Sequence, residues 1–184
     1  KFDLREVYYG LDCQMLLYLF TLERNGGHLF SQGTAAGVEY LWADPAPENI
    51  IRPETDDAEP LQAQNYPLEG LLLDEPSIYH AMDTRGTGAF VPLSFSAKTG
   101  EPTAQSAKAR LADREKFNRI RDHLDGMLTD MAKNLYSGEI DAAPLVPNAG
   151  KSPCLWCEYR TVCRHADGEG ERTPLKPDDP FGAE

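Results

Sequence analysis

The chain has 184 residues, about one domain, with 41% apolar and 26% charged residues and a formal charge of −12 from 18 Lys and Arg against 30 Asp and Glu. Four cysteines are too few for a disulfide scaffold, no apolar run reaches the roughly 18 residues of a membrane helix, and the first residues carry no signal-peptide pattern. The acidic balance argues against a chain that grips nucleic acid by bulk charge alone; opening at Lys1 without a Met, the sequence reads as a piece of something longer.

In chain order, residues 3–24 are predicted to be one helix. Asp3 is a candidate N-cap with Glu6 at capping-box spacing, Val7, Leu11, Met15, Tyr18 and Leu22 recur with helical period, and Asn25-Gly26-Gly27 is the stop. Leu16, Leu17, Leu19 and Phe20 add apolar character on further faces, which predicts a central, mostly buried helix. Residues 37–43 are rich in strand formers, and the Pro- and acid-rich stretch 44–67 reads as exposed loop. Leu71, Leu72, Leu73, Ile78 and Met82 suggest one or two short helices in 68–84. Phe90 to Phe95 suggests a short edge strand because of Pro92. Residues 96–110 are small and polar, with Lys98, Lys108 and Arg110, and are expected to be mobile. The firmest element is a helix over 112–137: Asp113 can cap it, Phe117, Ile120, Leu124, Met127, Met131 and Leu135 form its stripe, and Gly138 ends it. Gly126 inside it costs about 1 kcal/mol relative to Ala. Pro-rich coil then leads to a cysteine cluster, and the tail after His165 shows no core-forming pattern.

Cys154, Cys157 and Cys163 form a Cys-x2-Cys-x5-Cys array. Two thiolates separated by two residues can turn onto one metal, and the third completes a face of a tetrahedron. His165 is a local fourth ligand for a Cys3His zinc site, whereas an iron–sulfur cluster needs a fourth cysteine. Cys13 reads as a small buried hydrophobe. Arg160 and Arg164 flank the array, either offsetting its charge or simply solvated. Gln14 and Tyr18, four apart, project from one helix face. They can reach a phosphate or orient a catalytic group, or they can be a hydrogen-bonded polar pair in the core.

The run Lys1 to Leu19 with its Gln-x3-Tyr pair, Gly70-Leu-Leu-Leu-Asp74, Met82-Asp83, Ser137-Gly138-Glu139-Ile140 and the terminal cysteines together resemble the nuclease domain of the AddB family, of the RecB-like PD-(D/E)xK group, over most of residues 1–165. The resemblance implies an α/β (α+β) fold: a truncated, restriction-endonuclease-like PD-(D/E)xK domain over 1–150 and an iron–sulfur segment over 151–166; the tail over 167–184 is expected from its composition to be disordered. It implies Gln14 and Tyr18 as active-site-lining residues, and Cys154, Cys157 and Cys163 as ligands of a 4Fe-4S cluster whose fourth cysteine lies upstream of Lys1. The metal-binding acids and the catalytic Lys of the family also precede Lys1, so the piece alone is expected to be inactive. The parent is expected to be a Mg2+-dependent DNA exonuclease in double-strand break repair. Its expected partners are DNA and an AddA-like helicase–nuclease subunit, without a membrane, in the bacterial cytoplasm. No ATP-binding Gly-x4-Gly-Lys loop occurs in this stretch. Two alternatives remain: a Cas4-like or RecB-like exonuclease fragment, and a non-enzymatic Cys3His zinc module built on Cys154, Cys157, Cys163 and His165.

Overall fold

A computed structural model describes residues 2–28, 33–41, 68–146, 152–163, 165, 170–174 and 178–182. The predicted loop 44–67, the last two residues of the strand predicted over 37–43, and Arg164 lie outside the described residues. The architecture is mixed α/β, and the chain divides into two compact units, one of residues 1–2 and 14–121 and one of residues 3–13 and 122–184.

The first unit is built on a three-stranded sheet. Strand β1 (Gly37–Leu41) pairs antiparallel with β2 (Leu68–Leu73), with Gly37 opposite Leu72 and Leu41 opposite Leu68. β2 in turn pairs parallel with the two-residue β3 (Leu111–Ala112), with Leu72 opposite Leu111. Residues 68–73 are thus the central strand, not the helix expected from three successive leucines. Gly70 to Leu73 are all buried, and a strand covered on both faces carries a continuous apolar run instead of an alternating one. The expected helix does follow, as α3 (Pro76–Met82), with Pro76 in its first turn.

After α3 the chain bends through 84–94 without forming the expected edge strand; only Phe95 pairs, in an isolated bridge with Pro102. Val91 and Leu93 are nonetheless buried, in one cluster with Leu72, Tyr79 and Leu111. The stretch 96–110, expected from its composition to be mobile, carries regular structure. It closes on the bridge and then forms α4 (Ala104–Arg110), which Thr103 caps by accepting the Ser106 N–H. Ser106 Oγ accepts the Ser94 N–H at 2.9 Å, tying α4 to the preceding loop.

The helix predicted over 3–24 is two helices. α1 (Leu4–Tyr8) belongs to the second unit and α2 (Gln14–Asn25) to the first. Between them Gly10 takes φ +80° and Asp12 φ +50°, left-handed values that end a helix. Because the break resets the phase, the expected stripe is not the buried one. Leu11, Met15, Tyr18 and Leu22 are exposed, whereas α2 buries Leu16 and Phe20 and is otherwise half-buried or exposed. Phe20 meets Phe117 edge-on at 6.4 Å.

The helix predicted over 112–137 is α5 (Arg114–Ser137), its first turn capped by Asp113, whose Oδ1 accepts the Lys116 N–H at 2.7 Å. Gly138 (φ +79°) ends it: Gly138 N–H bonds the Leu135 carbonyl and Glu139 N–H the Asn134 carbonyl, the paired closure of a Schellman motif. Of its predicted stripe, Phe117, Ile120 and Leu124 are buried, while Met131 and Leu135 are 54% and 77% exposed.

In the second unit, Asp3 caps α1 through the Arg5 N–H as predicted. The Tyr8 ring stacks on His123 at 4.5 Å, and His123 Nε2 lies 2.8 Å from the Tyr8 carbonyl oxygen. Phe181 packs edge-on against both rings and is 3% exposed. Arg172 bridges Leu145, exchanging backbone hydrogen bonds with Pro144 and Val146. The described part of the tail therefore contributes a core residue that its sequence does not announce.

Candidate functional site

Gln14 opens α2 and Tyr18 stands one turn later on the same face. The Gln14 amide donates from Nε2 to the Tyr18 hydroxyl at 2.7 Å. Both residues are exposed. They lie about 200° round the helix from the buried Leu16 and Phe20, so this is a surface pair and not a polar pair of the core. The phenol oxygen takes its hydrogen bond from the amide, which leaves its own O–H to donate outward and Gln14 Oε1 to accept. A donor and an acceptor held side by side can orient a water molecule or a phosphate oxygen.

The cysteine segment belongs to the second unit. Ser152 accepts the Cys154 N–H and starts a 3-10 turn over Pro153–Trp156. Cys157 N–H closes it on the Cys154 carbonyl at 3.4 Å. The one-turn helix α6 (Arg160–Cys163) follows, with Cys163 N–H bonded to the Tyr159 carbonyl at 2.8 Å. All three thiols are free of disulfides; Cys154 is half-buried, and Cys157 and Cys163 are exposed. Cys13 is half-buried, its thiol directed to the Gly10 carbonyl at 3.4 Å. Among the described residues no three His, Cys, Asp or Glu side chains converge closely enough to share a metal ion. His165 Nε2, however, is enclosed and has no hydrogen-bond partner among the described residues. Soft sulfur donors at this spacing, with an enclosed imidazole nitrogen left unbonded, suit a zinc ion or, with a fourth cysteine, an iron–sulfur cluster.

Two carboxylates outside these motifs have unusual surroundings. Asp83, 1% exposed at the end of α3, accepts from the backbone N–H of Arg85, Gly88 and Ala89 and from the Thr87 hydroxyl. Burial alone raises its pKa, and the hydrogen bonds from Thr87, Gly88 and Arg85 outweigh that effect and hold it below the ordinary aspartate value. Asp83 is the pin of the 84–89 loop; its signal in the sequence is an acid followed by Thr-Arg-Gly-Thr-Gly, the composition of a turn that offers N–H groups. Glu39, in β1, has an enclosed Oε1 without a partner among the described residues, and burial pushes its pKa up. Nothing in Gly-Val-Glu-Tyr-Leu signals this, because an acid inside a strand pattern reads as a solvent-facing position.

The sequence profile of the PD-(D/E)XK nuclease superfamily matches residues 1–164. Curated relatives are named as one of the subunits of an ATP-dependent helicase/deoxyribonuclease. The protein of Exiguobacterium sibiricum is 29% identical over 171 residues, 89% of this chain and 15% of its own length. That of Clostridium botulinum is 27% identical over 168 residues, with 89% and 14% covered. The Thermoanaerobacter protein is 30% identical over 171 residues, again with 89% and 14% covered. The chain thus spans only 14–15% of the length of these relatives.

Proposed function

The chain belongs to the PD-(D/E)XK nuclease superfamily, and we propose that it is the C-terminal part of the nuclease domain of an AddB-type helicase/deoxyribonuclease subunit. The observation that carries this reading is the coverage of 89% of the chain by relatives named as such a subunit, together with the match of the nuclease profile to residues 1–164. In this reading the parent hydrolyses DNA phosphodiester bonds in double-strand break repair, in the bacterial cytoplasm, paired with an AddA-like subunit. The metal-binding acids and the catalytic lysine come from outside these 184 residues, so the chain alone cleaves nothing. Mg2+, held by those acids, supplies Lewis-acid activation of the scissile phosphate and the attacking water.

This chain's own contribution is positional. The Tyr18 O–H donates to a phosphate oxygen or to the attacking water, and Gln14 holds the phenol at the angle that permits it. Cys154, Cys157 and Cys163 would hold a 4Fe-4S cluster together with a cysteine from elsewhere in the parent. The cluster supplies a cross-link between segments distant in sequence. The second reading, a Cys3His zinc module, is favoured by the unbonded His165 nitrogen.

The test is made in the full-length parent. Gln14→Ala and Tyr18→Phe should each lower the nuclease rate by about 10- to 100-fold, the scale of one lost hydrogen bond to a charged group. ATP-driven unwinding should be unchanged. An equal fall in unwinding, or an unchanged nuclease rate, counts against a role for the pair in the nuclease site.

A further inference from the structure

Residues 84–112 hold four of the 18 Lys and Arg but only one of the 30 Asp and Glu, a net +3 inside a chain of −12. Six described cations are committed to acid partners: Arg5 to Asp3, Arg110 to Glu69, Arg114 to Glu75, Arg119 to Glu115, Arg121 to Glu23 and Lys133 to Asp130. Arg85, Lys98 and Lys108 are all exposed, and among the described residues none of the three has an acid partner. Glu101, the one acid of the segment, forms no ion pair either among those residues. In a chain with so large an excess of acids, three cations without an acid partner among the described residues stand within one short segment.

One of them, Arg85, lines a built feature. A cleft of about 450 Å3 is lined by His80, Thr84, Arg85, Phe95, Ser96 and the glycines at 86 and 100. Lys98 lies in the turn that the Gly100 N–H closes on the Ser96 carbonyl, between the lining residues Ser96 and Gly100 in sequence. The Ser96 hydroxyl accepts the Lys98 N–H at 3.3 Å, which leaves its own O–H to donate into the cleft. The position of Arg85 is set by Asp83, whose carboxylate is turned inward onto the loop N–H groups and does not compete for the guanidinium. α4, which carries Lys108, is tied to the same loop through Ser106 and Ser94.

We propose that this cleft takes a phosphodiester group of single-stranded DNA. His80, Thr84 and Ser96 bond the phosphate oxygens, Arg85 and Lys98 neutralise the charge, and Lys108 continues the positive face along the strand. The proposal rests on the nuclease reading and adds to it a path for the strand that neither the Gln14–Tyr18 pair nor the cysteines provide. A cation already paired with an acid must give up that pair before it can neutralise a phosphate and release its counterion, so cations without an acid partner suit phosphate binding.

The experiment uses the full-length parent without ATP and a short single-stranded oligonucleotide. Replacing Arg85, Lys98 and Lys108 together by Ala should raise the nuclease KM about tenfold and leave kcat unchanged. The slope of log(kcat/KM) against log salt should become shallower by about 2, since each single-strand phosphate contact contributes roughly 0.7. Arg85→Gln alone should give about a third of that change, and its exposed side chain makes a folding failure readily separable by thermal melting. Arg119→Ala with Lys133→Ala, which removes paired cations, should change neither quantity. If wild-type parent cleaves the oligonucleotide and the triple variant keeps its KM and salt slope, the cleft assignment is wrong and the nuclease reading stands. If wild-type parent cleaves no DNA at all, the nuclease reading fails and the cleft falls with it. Inorganic phosphate that inhibits wild type as strongly as an equal concentration of competitor oligonucleotide would make this a site for the free ion and overturn the DNA assignment.

Discussion

Asp83 and Glu39 are both enclosed carboxylates, and they push stability in opposite directions. Asp83 has its charge taken up by three N–H groups and a hydroxyl, and its pKa is lowered. Its contribution to stability is therefore present above the ordinary aspartate range and is lost as the pH falls through its depressed folded value. Asp83→Ala strands those donors and should cost about 2–3 kcal/mol in urea unfolding at neutral pH, with the difference from wild type shrinking in strong acid. Glu39 has an enclosed Oε1 with no partner among the described residues, and burial raises its pKa. The folded state then prefers the protonated form, so stability is greatest below the ordinary glutamate range and is lost as the pH rises through the raised value. Glu39→Gln should accordingly be more stable than wild type at neutral pH, and the two should converge below about pH 4. A Gln variant that is less stable at neutral pH would show that the ionised carboxylate has a favourable partner after all.

Among the elements, the central strand and the split N-terminal helix carry the main departures from pattern reading. Three leucines in a row satisfy a helix as well as a fully buried strand, and β2 became a strand because β1 and β3 lie on either side of it. At Gly70 a side chain would run into the Val38 carbonyl oxygen of β1, so the strand pair closes only on a glycine. Gly10 separates α1 from α2. Its φ of +80° is left-handed, and an added Cβ would stand 2.9 Å from the Met127 sulfur. Gly10→Ala should therefore destabilise the protein by about 1–2 kcal/mol, read as a lower denaturation midpoint at unchanged slope. A stabilised Ala variant would instead mean that α1 and α2 readily fuse into the single helix that the periodicity of residues 3–24 suggests.

For the whole molecule, the metal is the decisive question. Full-length parent of the proposed kind should be brown. Cys154→Ala, Cys157→Ala or Cys163→Ala should each bleach its visible absorbance and loosen the nuclease domain, because a cross-link between distant segments shrinks the unfolded ensemble. His165→Ala should leave the colour intact. A colourless parent that holds one zinc and loses it on His165→Ala would put the zinc module in place of the cluster. In either case the three exposed or half-buried thiols are the expected ligands, and Cys13, bonded to the Gly10 carbonyl, is not.

Local features were readable from the residues alone. The helix from Arg114 to Ser137, its Asp113 cap and its Gly138 closure were all legible, because caps and a 3.6-residue period act within a turn or two of chain. The adjacency of Gln14 and Tyr18 was legible for the same reason, as was the family, since motif spacing survives without knowledge of packing. Long-range packing settled what depends on partners far along the chain. It made residues 68–73 a strand between β1 and β3, ordered 96–110 against the Leu72–Tyr79 cluster, and put Phe181 of the tail against Tyr8 and His123. It also placed the Gln14–Tyr18 pair on the surface and gathered His80, Arg85 and Ser96 around one cleft. Burial and convergence are properties of the closed chain: the same residues score alike in any sequence window, and only contacts between segments distant in sequence distinguish a solvated acid from Glu39 or a polar loop from a cleft.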